Sequence, residues 1–285
     1  MYLYVNGLFQ KETEAVISPF DHGFMYGVGL FETFRTYQGH PFLLDDHFVR
    51  LQKSCQELKI PFLYNRDEVA DIISRLLELN QMDDAYFRWN VSAGEGPVGL
   101  QTEGYDQPTT IVYTKRLSVN NDYLEKRLVV LNTRRNSPEG TSRLKSHHFL
   151  NNIYGKREVG NDPNVEGLFL NDEGDVTEGV VSNVFWIKGD RLYTPHVETG
   201  ALEGVTRSFL LYLARFVGLT PIEGRFPIEH MYDAEEVFIT NSIQEIVAIR
   251  SLDEHLFPGK TGEKFRELLA LYRSHTGSLW SKNDL

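Results

Sequence analysis

Hydrophobic residues in the first third of the chain recur at the helical spacing in two stretches. Between residues 45 and 58 the apolar positions follow this period at Phe48, Leu51, Cys55 and Leu58. A second stretch follows Asn65 and contains Val69, Ile72, Ile73, Leu76 and Leu77. We therefore predict two amphipathic helices, the first with Asp45 as its N-cap and the second beginning after Asn65.

Strand patterns surround these helices. Residues 2–5 precede Asn6-Gly7, a dipeptide typical of a hairpin turn. Further strands are predicted at 85–93, 109–114, 127–132, 166–170, 180–187, 191–194 and 237–239, and further helices after Ser146, after Gly204 and over 260–275. This irregular order of strands and helices indicates an α+β fold. The polar segment 116–123 is the predicted connection between a domain of residues 1–115 and one of residues 124–285.

The composition narrows the classes of function. The 285 residues carry a formal net charge of −11, which disfavours a nucleic-acid or anionic-membrane partner. No apolar run approaches the ~20 residues of a membrane span, and the N-terminal residues show no signal-peptide pattern. The one cysteine, Cys55, cannot form an internal disulfide. We therefore expect a cytoplasmic protein.

Four segments contain residues suited to a site. In 21–35, glycines among aromatic residues indicate backbone that closely approaches another surface. Arg50 lies beside the apolar stripe of the first helix, and its guanidinium suits a phosphate, although a lone arginine more often forms a surface salt bridge. Lys145 ends a polar loop, where spacing alone does not separate it from a solvated lysine. His147 and His148 are adjacent and lack a third ligand at a suitable spacing, so no metal site is expected.

The fourth segment, 175–185, contains Glu178 and is followed by two shorter groups. Gly204-Val205-Thr206 begins a predicted helix, where free amides and a hydroxyl suit an anion. Thr240-Asn241-Ser242 ends a predicted strand with further donors. Each group also fits an ordinary role as an N-cap or a turn, so single motifs do not decide the function.

Together, and in this order, the segments resemble the fold-type-IV pyridoxal-phosphate enzymes, from Val5-Asn6-Gly7 to about Arg250. That family includes branched-chain aminotransferases, D-amino-acid aminotransferases and 4-amino-4-deoxychorismate lyases. The resemblance implies a two-domain enzyme with a small N-terminal α/β sandwich domain and a larger β-barrel-like C-terminal domain with helices. It also implies a homodimer whose subunits complete each other's sites.

The resemblance assigns roles residue by residue. Lys145 matches the lysine that binds pyridoxal 5'-phosphate and moves the proton, and Glu178 matches the glutamate that pairs with the ring nitrogen of the cofactor. The residues matched to its phosphate are Arg50, Val205, Thr206 and Ser242. The segment from Phe31 to Arg35 matches the strand that contributes to the substrate pocket.

The subfamilies differ in the residues around the substrate. Leu150 stands where branched-chain aminotransferases carry a tyrosine five residues after the lysine. Segment 91–99 lacks the arginine and histidine with which D-amino-acid aminotransferases hold the substrate carboxylate. Segments 18–24 and 183–189 look most like the aminodeoxychorismate lyases.

The lyase resemblance implies an elimination, in which 4-amino-4-deoxychorismate loses pyruvate to give 4-aminobenzoate for folate biosynthesis. Lys145 is then the base, and no amino acceptor is needed. The substrate carries two carboxylates, for which Arg88 and Arg35 are the candidates, with Phe31 beside them. Two alternatives stay open: an aminotransferase for D- or branched-chain amino acids, and a catalytically silent binding protein of the same fold.

Overall fold

A computed structural model describes residues 1–117 and 124–285. Within the predicted connection 116–123, residues 118–123 therefore lie outside the described residues. The described residues divide into two compact units. Unit 1 contains residues 1–117, 144–148 and 276–285, and unit 2 contains residues 124–143 and 149–275.

Unit 1 is an antiparallel sheet with two long helices. Its elements are β1 (Tyr2–Val5), β2 (Leu8–Lys11), α1 (His22–Tyr26), β3 (Gly29–Tyr37), β4 (His40–Pro41), α2 (Leu44–Glu57), α3 (Arg66–Asn80), β5 (Ala85–Ser92), β6 (Thr109–Arg116) and a 3₁₀ turn (Lys282–Asp284). The strand order is β2-β1-β6-β5-β3-β4. Phe87, Trp89 and Val91 alternate with half-buried polar residues along β5 and pack into the core beneath α2 and α3.

The local chemistry explains most of these boundaries. Asn6 and Gly7 both have positive φ angles, as the tight turn between β1 and β2 requires. Asn65 and Glu68 form a capping box at the start of α3, which confirms the predicted helix start. The predicted N-cap of the first helix was wrong: α2 begins at Leu44, and Asp45 lies in its first turn.

A C-terminal segment explains the different start of α2. The N-cap position, Leu43, provides no side-chain cap. Instead the amide of Leu43 donates to the carbonyl of Leu279 at 3.1 Å, and the amide of Asp45 donates to that of Trp280 at 3.0 Å. Backbone carbonyls from the end of the chain thus satisfy amides that a helix start leaves without an internal partner.

Two segments of unit 1 come from beyond the predicted boundary at residue 115. Residues 144–148 run along β3, where Phe31 N donates to Lys145 O and His147 N donates to Gly29 O, both at 2.9 Å. Residues 276–285 follow the last helix and reach α2. The predicted domain boundaries at 115 and 124 place both segments in the second domain. Sequence patterns do not show that they belong to unit 1, because short segments held by main-chain hydrogen bonds have no hydrophobic period of their own.

Unit 2 is a mixed sheet with three helices. Its elements are β7 (Glu125–Val130), α4 (Leu150–Val159), β8 (Val165–Leu170), β9 (Val176–Gly179), β10 (Asn183–Lys188), β11 (Arg191–Pro195), α5 (Val205–Leu213), β12 (Thr220–Gly224), β13 (Glu236–Asn241), β14 (Glu245–Leu252), β15 (His255–Leu256), α6 (Glu263–His275) and 3₁₀ turns at Val197–Thr199, Ala214–Val217, Ile228–Met231 and Gly259–Thr261. The strand order is β12-β11-β10-β13-β14-β7-β8-β9, with β15 on β14.

The arrangement of unit 2 brings polar residues to the ends of its strands. The strand predicted over 180–187 begins later, as β10 at Asn183, because residues 180–182 form a turn in which Gly179 N donates to Ser182 O at 2.7 Å; β9, which precedes this turn, was not predicted. Helix α5 packs against β13, so its N-terminus lies beside the end of that strand. None of the helices in residues 1–117 and 124–285 combines the length and apolar composition that a membrane span requires.

Candidate active site

Lys145 lies in an extended segment along the free edge of β3. The carbonyl of Lys145 accepts from Phe31 N at 2.9 Å, and Ser146 forms a bridge with Leu30. The lysine side chain is half-buried, and its Nζ lies 4.7 Å from the centroid of the Phe31 ring. The main chain therefore holds the amine against one aromatic wall.

Arg88 meets the same aromatic ring. Its Cζ lies 3.7 Å from the Phe31 centroid, and its Nε donates to Asn90 Oδ1 at 2.9 Å. Within residues 1–117 and 124–285, no carboxylate lies within ion-pair distance of Arg88. Unit 1 thus places Lys145, Phe31 and Arg88 together, and it leaves the arginine as a half-buried cation suited to an anionic group.

Arg35, the second predicted substrate contact, lies elsewhere on the same strand. It is four residues beyond Phe31 on β3, roughly 13 Å along an extended chain. Its Cζ stacks 4.4 Å from the centroid of the Tyr37 ring. Arg35 thus stacks on Tyr37, whereas Arg88 and Lys145 lie against Phe31.

Arg50 is oriented by a buried glutamate. Arg50 Nε donates to Glu32 Oε1 at 2.7 Å and Nη2 to Oε2 at 2.6 Å, while His47 Nδ1 donates to Oε2 at 2.7 Å. Burial by itself raises the pKa of Glu32, but the Arg50 charge and these hydrogen bonds lower it to about 2. Burial also lowers the pKa of His47, so this imidazole is held neutral beside a fixed ion pair.

Glu178 is a buried acid of unit 2 that, like Glu32 in unit 1, is paired with an arginine. It lies on β9 and is 5% exposed. Arg135 Nε donates to Glu178 Oε1 at 2.8 Å, and Arg135 Nη2 also lies 2.8 Å from Oε1. Leu202 N donates to Oε2 at 2.9 Å. A carboxylate held in this way is a fixed negative charge, as a partner for a protonated ring nitrogen needs to be.

A second arginine lies close to this acid. Arg143 Nε is 4.0 Å from Glu178 Oε1, and the Arg143 guanidinium donates to the carbonyls of Asn136 and Gly200. Burial and the charge of Arg135 lower the pKa of Arg143 to about 10. Two arginine side chains, Arg135 and Arg143, thus lie within ion-pair distance of the one Glu178 carboxylate.

The start of α5 forms an anion cradle. Its N-cap is Gly204, which offers no side-chain cap, so the first amides of the helix have no internal acceptor. Thr206 Oγ1 lies 3.3 Å from Ser242 Oγ. Thr240 is 1% exposed, and its hydroxyl has no partner among the described residues. Amides, hydroxyls and an unpartnered buried donor together suit the oxygens of a phosphate.

The two histidines after Lys145 differ from each other. A Cβ on Gly29 would lie 2.3 Å from His147 Nδ1, which confirms the predicted close approach of the glycine-rich segment. Burial and the charge of Arg88 lower the pKa of His147 to about 4, whereas His148 is exposed. No group of three or more metal-ligating side chains occurs among the residues that the structure describes.

Sequence reasoning missed the residues that orient the predicted ones. Glu32 had a usable signal, because an acid inside the apolar strand Leu30–Phe34 has to be paired when it is buried. His47 also had one, since it precedes Arg50 by three residues and shares its helix face. Arg135 had none, because an arginine pair in a polar segment is typical of a solvated surface.

Comparison with known proteins identifies the family. The model of the family described as amino-transferase class IV matches residues 29–252. The chain is a member of the class IV aminotransferase family. Enzymes of this family use pyridoxal 5'-phosphate, so the predicted cofactor and the predicted α+β fold are confirmed.

Individual class IV relatives cover nearly the whole chain. An aminodeoxychorismate lyase of Bacillus subtilis (strain 168) is 46% identical over 273 residues, 95% of this chain and 93% of that protein. A putative branched-chain-amino-acid aminotransferase of Methanocaldococcus jannaschii is 32% identical over 94% of each chain. The crystal structure of 4-amino-4-deoxychorismate lyase from Pseudomonas aeruginosa superposes with a TM-score of 0.83 at 28% identity, over 96% of this chain and 99% of that one.

The residues present fit the cofactor of the class IV family. The fit rests on the cradle at α5, where the buried Thr240 hydroxyl has no partner among the described residues and the first helix amides need acceptors. It also rests on Glu178, a buried carboxylate on β9: among the described residues, its Oε2 accepts one hydrogen bond, from Leu202 N. A phosphate and a protonated ring nitrogen satisfy these two sites respectively.

Proposed function

We propose that this protein is a pyridoxal-phosphate-dependent 4-amino-4-deoxychorismate lyase that releases pyruvate and forms 4-aminobenzoate. The observation that carries the proposal is the placement of Lys145 Nζ and the Arg88 guanidinium against one ring, that of Phe31. A base and a cation for a carboxylate then lie side by side. The 46% identity to an aminodeoxychorismate lyase over 95% of the chain supports the same reaction.

Each proposed residue has one task in the elimination. Bound pyridoxal phosphate supplies an electron sink for the carbon from which a proton is removed. Lys145 Nζ takes the proton from the ring carbon that bears the substrate amine. The bond between the neighbouring ring carbon and the enolpyruvyl oxygen then breaks, the ring becomes aromatic, and the enol takes up a proton to become pyruvate. Glu178 holds the positive charge of the cofactor's ring nitrogen throughout.

The remaining residues bind and orient. Arg50, Val205, Thr206 and Ser242 hold the phosphate, with Glu32 fixing the direction of the Arg50 guanidinium. Arg88 receives one substrate carboxylate, and Phe31 forms the adjacent wall. Arg35 remains a candidate for the second carboxylate only if the substrate extends along β3 toward Tyr37.

The lyase proposal has a direct test. Purified holoenzyme is given 4-amino-4-deoxychorismate without any keto acid, and 4-aminobenzoate and pyruvate are measured in parallel. We expect equal amounts of both products, and none from a Lys145→Ala variant. If no product forms and the enzyme instead transfers amino groups from D- or branched-chain amino acids to 2-oxoglutarate, the protein is an aminotransferase. The relative that is 32% identical makes this the second candidate.

We also propose that the enzyme is a cytoplasmic homodimer. The argument for a second copy is an apolar surface in unit 1, where Phe24 is 71%, Val98 75% and Leu100 92% exposed. The two segments that carry these residues meet where Gly99 N donates to Tyr26 Oη at 2.8 Å. Exposed apolar patches of this kind mark contact surfaces. Sedimentation of the wild type and a Phe24→Ser, Leu100→Ser variant is expected to show a dimer and a monomer; two monomers would refute the proposal.

A further inference from the structure

The two oxygens of the Glu178 carboxylate have different neighbours. Oε1 accepts from Arg135 Nε at 2.8 Å and lies 2.8 Å from Arg135 Nη2. Oε2 accepts from Leu202 N at 2.9 Å. Each carboxylate oxygen has two lone pairs in its plane. Oε1 is therefore fully engaged by one arginine, and Oε2 has capacity for one more donor.

Arg135 is itself held on its other side. Its Nη1 donates to Asn151 Oδ1 at 2.7 Å and to Asn152 Oδ1 at 3.2 Å, and both asparagines lie in the first turn of α4. Asn152 Nδ2 donates in turn to Val180 O at 2.6 Å. The Arg135 side chain is 5% exposed and lies 5.3 Å from the centroid of Phe169. The guanidinium is thus a rigid bridge between α4 and the acid on β9.

We propose that Arg135 is a positioning residue that acts through Glu178. It fixes the carboxylate so that Oε2 is the oxygen presented to the ring nitrogen of the cofactor. The charge-assisted hydrogen bonds from Arg135 hold that carboxylate in a fixed direction. This inference rests on the proposed function, since it requires that Glu178 pairs with that nitrogen.

Arginine is required at this place for geometric reasons. A guanidinium presents several donors in one plane and so contacts a carboxylate and two amide oxygens at once. A lysine ammonium in the same place keeps the charge but loses the planar fork. A glutamine loses the charge and leaves the buried carboxylate with the more distant Arg143, 4.0 Å from Oε1, as its counter-ion.

The chain supplies a matched control in the adjacent residue. Arg134 is an exposed arginine, whereas Arg135 is buried. The Arg134 main-chain carbonyl accepts from Asn151 Nδ2, and a side-chain substitution leaves this bond in place. Arg134→Gln therefore removes the same charge from the same segment without touching Glu178.

The experiment is a double-mutant cycle on holoenzyme, with Arg135→Gln, Glu178→Gln, the double variant and Arg134→Gln. We expect Arg135→Gln to lower kcat about 10- to 100-fold with little change in KM, because a charged, buried hydrogen bond is lost. In the Glu178→Gln background the same substitution is expected to change kcat less than about 2-fold, since its target is gone. Arg134→Gln is expected to match the wild type.

A spectroscopic readout separates positioning from general damage. The visible absorption of the bound cofactor is measured against pH in each variant, which gives an apparent pKa of the cofactor. We expect this pKa to be higher in Arg135→Gln than in the wild type, because a positive charge that opposes protonation of the cofactor has been removed. In Arg135→Lys, which keeps the positive charge, we expect the apparent pKa to return part of the way toward the wild-type value. If Arg135→Gln does not fold, Arg135→Lys carries the test, with a smaller loss that again disappears in the Glu178→Gln background.

The outcomes distinguish this inference from the proposed function. Equal losses from Arg135→Gln in both backgrounds, or a titration that matches Arg134→Gln, would overturn the positioning role while leaving the lyase intact. Absence of a cofactor band in the wild type would instead overturn the proposed function and the inference with it.

Discussion

Two buried arginine–glutamate pairs, one in each unit, look alike and are built for opposite purposes. In unit 1, Glu32 is 1% exposed and accepts from both Arg50 and His47, while the Arg50 side chain is 17% exposed. In unit 2, Arg135 is 5% exposed and donates to Asn151 and Asn152 as well as to Glu178. The glutamate positions the arginine in the first pair, and the arginine positions the glutamate in the second.

The difference shows how a buried ion pair becomes functional. Compared with apolar residues of similar volume, such a pair adds little stability, because both ions lose their hydration. Its value lies in holding one member rigid, so that this member can meet a ligand in a fixed direction. Under the proposed function, Arg50 on α2 is the member that meets the cofactor in unit 1, and Glu178 on β9 is the member that meets it in unit 2. The two pairs are therefore expected to fail in different ways when they are broken.

The largest effect is expected when the acid of unit 2 is neutralised. Glu178→Gln keeps the shape of the side chain but does not hold a proton on the ring nitrogen, so the electron sink is weakened. We expect kcat to fall on the order of 100-fold or more, with the affinity for pyridoxal phosphate changed only a few-fold. Steady-state kinetics and cofactor titration measure the two quantities. The exposed Glu173 supplies the control, Glu173→Gln, which is expected to change neither.

The next effect is the acid stability that the unit 1 pair provides. The pKa of Glu32 is about 2 in the folded protein against 4.5 in the unfolded chain. A lowered carboxyl pKa contributes stability that is complete above pH 4.5 and is lost as the pH falls from there toward 2. The contribution is about 3 kcal/mol. Urea unfolding between pH 6 and pH 3 is expected to show a steeper loss in the wild type than in Glu32→Gln; equal slopes would contradict the assignment.

A smaller effect distinguishes positioning of Arg50 from loss of folding. With Glu32→Gln, the Arg50 guanidinium loses its charged anchor, so we expect the affinity for pyridoxal phosphate to fall about 10-fold. The affinity for pyridoxal, which lacks the phosphate, is expected to stay the same, and so is kcat at saturating cofactor. Glu57→Gln, an exposed acid at the end of the same helix, is the matched control. A parallel loss of both affinities would mean that the substitution had simply loosened α2.

The contrast between the pairs also explains which parts of the site sequence reasoning reached. The strand predicted over 85–93 is confirmed by β5, in which Phe87 and Trp89 are buried because one face of that strand is core. The strand predicted over 180–187 included the turn after Gly179 and missed β9, since Val180 and Val181 in the turn are as apolar as the strand that follows. The role of Arg135 could not be predicted from the sequence, because its partner Glu178 is 43 residues away and only the folded chain brings the two together. A hydrophobic pattern shows which face of a helix or strand is buried, whereas an ion pair depends on a contact between residues that are distant in sequence.

The smallest prediction carries the same comparison to two buried threonines. Thr194 is 0% exposed and its hydroxyl donates to Val184 O at 2.8 Å, whereas the hydroxyl of Thr240 has no partner among the described residues. Thr194→Val removes a satisfied hydrogen bond and is expected to destabilise the protein by about 1 kcal/mol. Thr240→Val removes an unsatisfied hydroxyl, so the free energy of unfolding without cofactor is expected to stay level or rise slightly.

The two threonine variants are compared by urea unfolding, first without cofactor and then with pyridoxal phosphate. Thr240 lies two residues before Ser242, whose hydroxyl is 3.3 Å from that of Thr206 at the start of α5, so we expect the Thr240 hydroxyl to face the same cradle. Added cofactor is therefore expected to stabilise the wild type more than Thr240→Val and to stabilise Thr194→Val as much as the wild type. If Thr240→Val lost as much stability as Thr194→Val without cofactor, its hydroxyl would have a partner inside the fold, and the cradle would end at Ser242.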